Sequence, residues 1–245
     1  MAGFDSIRSS RLGGSVASAD KFNRSILAWV APFAVFMVLT MLETQKWLGV
    51  GYEVLYTVKA VVVAALLLHF RREYPPFSAT GTGLAVVAGV IGCAVWIALD
   101  SLQGMIPGVP ALVSQVFGSR AGYDPWGEEG FSLLRCVFVG IRLFGLAVVV
   151  PVMEEIFWRG FLARYLISDD FRNVPQGQFT AASFAIVTLA FAAVHPEVLA
   201  AIAWGAMINL LYQRTANVWA CVVMHAVTNM LLGIYILTTG HWQLW

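Results

Sequence analysis

The chain has 245 residues, of which 59% are hydrophobic and 12% charged, with a formal net charge of +1. That balance departs from the composition of a water-solvated globular domain. The basic residues stand in short clusters between apolar runs instead of forming a stripe, so no nucleic-acid partner is expected and membrane lipid is.

Residues 1–24 are polar, carry Arg8, Arg11, Lys21 and Arg24, and are predicted to form a cytoplasmic N-terminus. The apolar run that follows lacks a small-residue cleavage site and precedes further spans, so it reads as an anchor and not as a removed signal. Apolar runs close to the length a helix needs to cross a bilayer recur at Ser25 to Leu42, Tyr52 to Phe70, Thr82 to Leu102, Phe131 to Val150, Phe179 to Val194, Leu199 to Leu211 and Val218 to Leu237. They are continuously rich in Ala, Leu and Val, unlike the alternating strands of a barrel. The prediction is therefore all-α: a polytopic transmembrane helical bundle of about 7–8 membrane helices, forming a single membrane domain over residues 25–245. Between the third and fourth runs, Gly104 to Glu129 contains Pro107, Pro110, Gly118, Gly122, Pro125 and Gly127, which predicts a long loop with a short interfacial helix around Ala111 to Phe117.

Arg71 and Arg72 follow the second run, so the positive-inside rule places that loop and the N-terminus in the cytoplasm and the long loop outside. The expected location is the inner (cytoplasmic) membrane, multi-pass. The charge signal weakens in the last third, where Leu199 to Leu211 is short for a full crossing. Cys93, Cys136 and Cys221 are odd in number and each lies in an apolar segment, which predicts small buried hydrophobes and no disulfide framework.

Ionisable groups at membrane depth are costly unless paired or hydrated, so each is a candidate for function. Three clusters qualify. Glu154 and Glu155 directly follow the run ending at Val150, with Arg159 one helical turn beyond. Glu155 and Arg159 are four apart and share a face, so they can pair, while Glu154 is turned about 100° away in an apolar setting. That geometry assigns Glu155 to the arginine and makes Glu154 the candidate general base. His195 closes an apolar helix because Pro196 disfavours helix at the residue before it. His225 and Asn229, four apart in the last run, present an imidazole and a carboxamide side by side. An acid with one imidazole to activate water, and a His/Asn pair to receive developing negative charge, form an amide-hydrolysing constellation. Asn209 is a further intramembrane polar group able to orient the cluster.

At these residues the chain resembles the CPBP intramembrane proteases, a family that includes CAAX prenyl endopeptidases and bacteriocin-processing, Abi-like and immunity-associated members. The family pattern EExxxR, FxxxH and HxxxN is met in order by Glu154, Glu155 and Arg159, by Phe191 and His195, and by His225 and Asn229. The resemblance covers roughly residues 131–237 as a catalytic core, and the N-terminal half is similar in general look to CAAX-protease-related proteins found beside exosortase systems. It implies an all-helical membrane fold, proteolysis near the membrane surface, and catalytic roles as above. The implied partner is a protein or peptide substrate, either lipidated or an exported-protein tail.

Blander readings stand beside these. An adjacent acid pair with a following arginine is often a solvated helix end, yet Glu154 and Glu155 are flanked by Val152, Met153, Ile156, Phe157 and Trp158. His69 and His241 read as interfacial. Trp29, Trp96, Trp158, Trp204 and Trp219 read as packing or interfacial anchors, and Glu197 as a loop charge. Two alternatives stay open. One is a zinc-dependent version of the same protease, with Glu154, His195 and His225 as candidate ligands; the favoured reading requires no cofactor. The other is a non-enzymatic scaffold, immunity factor or transporter that keeps buried charges for pairing or proton movement.

Overall fold

The computed structural model describes residues 26–43, 51–117, 122–127 and 130–245, so the expected cytoplasmic tail over 1–24 lies outside the described residues. Eight helices carry the architecture: α1 (Ile26–Glu43), α2 (Tyr52–His69), α3 (Thr82–Met105), α4 (Val109–Phe117), α5 (Leu133–Tyr165), α6 (Ala181–Ala192), α7 (Val198–Thr215) and α8 (Val218–Thr239). The described residues contain no strand. The protein is an all-α polytopic membrane bundle.

Five of these helices, α1, α2, α3, α5 and α8, are long and apolar enough to cross a bilayer. The two other expected spans fall short for readable reasons. α6 has only 12 residues, because Thr180 and Ser183 cap its start reciprocally and the turn before Pro196 ends it. α7 has 18 residues but carries Asn209, Gln213 and Arg214. The loop helix expected near Ala111 to Phe117 is present as α4, whose side chains are all exposed or half-buried.

α5 departs most from expectation. The apolar run is expected to close at Val150, whereas the helix runs on through the acidic motif to a total of 33 residues, about 50 Å. Polarity lowers the apolar signal of a segment without lowering its helicity, and here the charged groups bond inward. Pro151 sits inside this helix and lacks the N–H that would bond one turn back. The chain absorbs it with a widened π turn, Gly145–Val149, immediately before the proline, and a second π segment, Ile156–Leu162, follows the two glutamates.

Packing separates a buried from a lipid-facing side on each long helix. On α3, Ala85, Gly89, Gly92, Cys93 and Trp96 are buried, whereas Val86, Val87, Val90 and Ile91 are exposed, as suits hydrocarbon contact. The small residues let α3 lie against α7 and α8. A Cβ on Gly89 would stand 2.8 Å from the Met224 carbonyl oxygen, and one on Gly92 would stand 2.8 Å from the Trp204 indole nitrogen. Thr228 of α8 donates to the Gly89 carbonyl at 2.9 Å and accepts from the Trp204 indole N–H at 3.1 Å, tying the three helices at one level. The cysteines are free thiols, with Cys93 and Cys221 buried and Cys136 half-buried. His69 and His241 are exposed.

Gly89→Val should force α3 and α8 apart, because the added carbons meet backbone and the Val227 side chain. The expected cost is about 1–3 kcal/mol, seen as a lowered thermal transition of the detergent-solubilised protein. Gly83→Ala, where nothing lies within 4 Å of the new methyl, should leave the transition unchanged.

Candidate active site

Glu154 and Glu155 occupy the short α-helical stretch Val150–Glu155 between the two π segments of α5. Both acids and Arg159 are buried, Glu155 and Arg159 completely. The arginine stands 3.2 Å from each Glu155 carboxylate oxygen through Nη1. Its Nε donates to Asn209 Oδ1 at 3.0 Å and its Nη2 to the Gly205 carbonyl at 3.4 Å. Asn209 in turn donates to Thr188 Oγ1 at 2.9 Å, and Thr188 donates to the Phe184 carbonyl at 2.8 Å. A buried guanidinium thus has a charge partner and polar acceptors on two helices, which is what a buried ion pair requires to persist.

His225 of α8 completes this network from the other side. Its Nδ1 lies 2.9 Å from Glu155 Oε1. Because the carboxylate oxygen facing it also accepts from Arg159, this bond is drawn with the proton on Nδ1, which leaves Nε2 as the nitrogen able to act in the cavity. Glu155 therefore serves two cations or donors at once, where the sequence spacing showed only the arginine.

His195 lies in the turn between α6 and α7. Its Nδ1 is 2.7 Å from the Phe191 carbonyl oxygen, and because a carbonyl can only accept, Nδ1 is the protonated nitrogen and Nε2 the basic one. Phe191 stacks on the Trp204 ring at 5.3 Å and lies under the Arg159 guanidinium at 5.5 Å, so the aromatic residue of FxxxH packs between the ion pair and the histidine it precedes. The turn itself is clamped from α3. Gln103 donates from Nε2 to the Pro196 carbonyl at 2.7 Å and accepts from the Leu199 N–H at 3.0 Å.

Glu154, His195, His225 and Asn229 all line one cavity of about 350 Å³. Glu155 and Arg159 stand behind its wall. Glu154 Oε2 is buried and has no hydrogen-bond partner among the described residues. Asn229 donates one amide hydrogen to the Leu146 carbonyl at 2.9 Å, a backbone acceptor within the first π segment, which fixes the orientation of its carboxamide. Trp96 and Trp204 pack as expected but also form cavity wall, with ring centres 5.6 Å from His195 and 4.7 Å from His225 respectively. Glu197, read from sequence as a loop charge, is buried and lines the cavity. Its position next to Pro196 gave no sign of burial, because the turn is covered by α3, a distant segment. Gln103 was missed for the same reason, though a lone amide near the end of an apolar run was the available signal.

The zinc alternative needs Glu154, His195 and His225 in one coordination sphere, and among the described residues no three His, Cys, Asp or Glu side chains are placed to hold a metal ion.

Residues 137–231 match the family model for type II CAAX prenyl endopeptidase Rce1-like proteins. Over that segment the chain is similar to Rce1-like CAAX proteases. All seven residues of the three motifs fall inside it, whereas α1, α2 and α3 lie outside. No curated protein and no solved structure matches the chain at a significant level. The Rce1-like segment is therefore roofed by helices whose contributions, such as Trp96 and Gln103, are read from this structure.

Arg159→Met should leave Glu155 fully buried without its cation, a loss of about 3–5 kcal/mol. The measurement is thermal unfolding in detergent, where Arg159→Lys should fall between the wild type and the methionine variant because one charge remains but the fork to Asn209 and Gly205 is lost.

Proposed function

We propose that this protein is a glutamate-type intramembrane endopeptidase in which Glu154 and His195 activate water, His225 and Asn229 stabilise the oxyanion, and Glu155 with Arg159 holds His225 in place. The protein is a CAAX-type hydrolase of the membrane, and the observation that carries the assignment of roles is the convergence of Glu154, His195, His225 and Asn229 on one cavity.

The chemistry follows from the hydrogen bonds. A water between the Glu154 carboxylate and His195 Nε2 faces two acceptors and gives up a proton as it attacks the peptide carbonyl. The tetrahedral oxyanion needs donors. Asn229 retains a second amide hydrogen beyond the one on Leu146, and His225 donates from Nε2 when that nitrogen carries a proton. Glu155, accepting from Nδ1 at 2.9 Å, offsets the charge such a ring carries. The proton taken from water then returns to the leaving amine through the same acid, as microscopic reversibility requires. Enclosure by Trp96, Phe191 and Trp204 strengthens each of these interactions by excluding bulk solvent.

The substrate is a membrane-associated protein, either lipidated as the prenyl endopeptidase name of the matching family implies, or an exported protein with a membrane-held tail. The catalytic core spans residues 131–237 of a single membrane domain over 25–245. The five long helices cross the membrane, and on this reading the shorter apolar helices α6 and α7 lie within the same bundle. The protein resides in the inner membrane with the N-terminus and the Arg71–Arg72 loop on the cytoplasmic side, supported by the positive-inside rule.

Glu154→Gln, His195→Ala and His225→Ala should each keep the wild-type thermal transition within about 1–2 kcal/mol and lower cleavage by about 10²–10⁴-fold. Substrate and effect are read together by comparing the termini of membrane proteins between wild-type and Glu154→Gln cells. Identical termini in the two strains would remove the hydrolase reading. Full activity after exhaustive chelation is the expected companion result.

A further inference from the structure

The catalytic cavity has a second polar end that the hydrolytic roles leave unused. It is formed by Lys59 of α2, Arg142 of α5, Glu43 at the end of α1, and the rings of Tyr52, Tyr56 and Trp245. Lys59 is neutralised there: its Nζ lies 2.6 Å from Glu43 Oε2 and donates to Thr40 Oγ1 at 3.1 Å. Arg142 is not. It is buried, its Nη1 bonds to the Tyr52 hydroxyl, and its guanidinium carbon sits 5.3, 4.8 and 4.8 Å from the ring centres of Tyr52, Tyr56 and Trp245. No carboxylate forms an ion pair with it among the described residues, although the Glu43 acid bridged to Lys59 also interacts with it electrostatically. Tyr56 fixes the helix on which it stands by donating to the Arg142 backbone carbonyl at 3.1 Å.

An arginine inside a membrane bundle is ordinarily balanced by an acid, as Arg159 is by Glu155 one helix stretch away. Arg142 is instead cradled by aromatic faces and shares the Glu43 carboxylate electrostatically with Lys59, so two cations face one acid and one positive charge is left over. Its planar fork of N–H donors matches a carboxylate bidentately. Because the same cavity holds Glu154, His195 and His225, an anion seated at Arg142 belongs to the molecule whose peptide bond reaches Glu154. We propose that Arg142 is a substrate-carboxylate subsite of the protease: it binds an acidic group of the bound peptide, either a free C-terminal carboxylate or an Asp or Glu side chain, and so sets which bond lies over Glu154. The inference rests on the hydrolase reading only for its consequence, and the binding it describes is measured without cleavage.

The test uses the full chain carrying Glu154→Gln in zwitterionic nanodiscs, with three pools of fluorescent apolar decapeptides. One pool ends in a free acid, one is C-terminally amidated and contains Glu, and one is amidated with no acid. At least one acidic pool should bind about tenfold or more tighter than the neutral pool, the magnitude of one charge-assisted bidentate contact. Arg142→Gln should erase that difference, while Arg142→Lys keeps part of it and Tyr52→Phe reduces it severalfold. Whichever acidic pool is preferred names the source of the carboxylate. Equal binding of all three pools, no binding of any, or an acid preference that survives Arg142→Gln overturns the subsite. So does loss of the preference once phosphatidylglycerol is added, since a lipid phosphate then occupies the arginine. If acid-selective binding depends on Arg142 yet the otherwise wild-type protein cleaves none of the pools and alters no cellular termini, the hydrolase reading fails and the subsite stands.

Discussion

The buried pairing of Arg159 with Glu155 is the constraint on which the rest of this structure depends. Two full charges sit with no solvent exposure inside a membrane bundle, and such a pair persists only if the remaining donors and acceptors are met. Meeting them recruits Asn209 and the Gly205 carbonyl from α7, Thr188 from α6 and His225 from α8. One ion pair therefore sets the relative level of four helices. Glu154, adjacent in sequence but rotated away, is carried by the same helix to the opposite outcome: it lines the cavity, with one carboxylate oxygen left without a hydrogen-bond partner among the described residues.

The two π segments bracket the regular helical stretch in which the two acids diverge. A regular helix would have to break at Pro151, or place its glutamates in a different rotation. Widening before and after the Val150–Glu155 stretch keeps α5 continuous past Pro151, and within that stretch the ordinary helical step turns one acid to the arginine and the other to the cavity. The Leu146 carbonyl in the first widened stretch is the acceptor that orients Asn229. Helix irregularity and catalytic geometry are thus one feature, and both originate at a proline placed three residues before the first glutamate.

The cavity extends beyond the residues of the three motifs. Its walls include Trp96 from α3, and the turn carrying His195 is held by Gln103 from the same helix. The far end is cationic through Arg142 and closed by α1 and α2. The segment similar to Rce1-like proteases supplies Glu154, His195, His225 and Asn229 to the cavity, and the preceding helices supply the rest of its wall.

Much of this was legible in the sequence because its physical signals are local. Apolar run length marked all five long helices, the four-residue spacing of Glu155 with Arg159 and of His225 with Asn229 placed each pair on one helical face, and Pro196 marked the turn that carries His195. Local signals misplaced the end of α5, since charged residues depress hydropathy even where a helix runs on. They could not show that Glu155 also bonds His225, seventy positions away in the chain, that Glu197 is covered, or that Gln103 grips the turn after His195. Those facts belong to contacts between distant segments, where the partner of a polar group is chosen by helix packing and not by its neighbours in sequence. Residue types and their spacing determined which chemistry this protein carries; only the packed bundle decided which acid faces the arginine, which faces the cavity, and what stands at its other end.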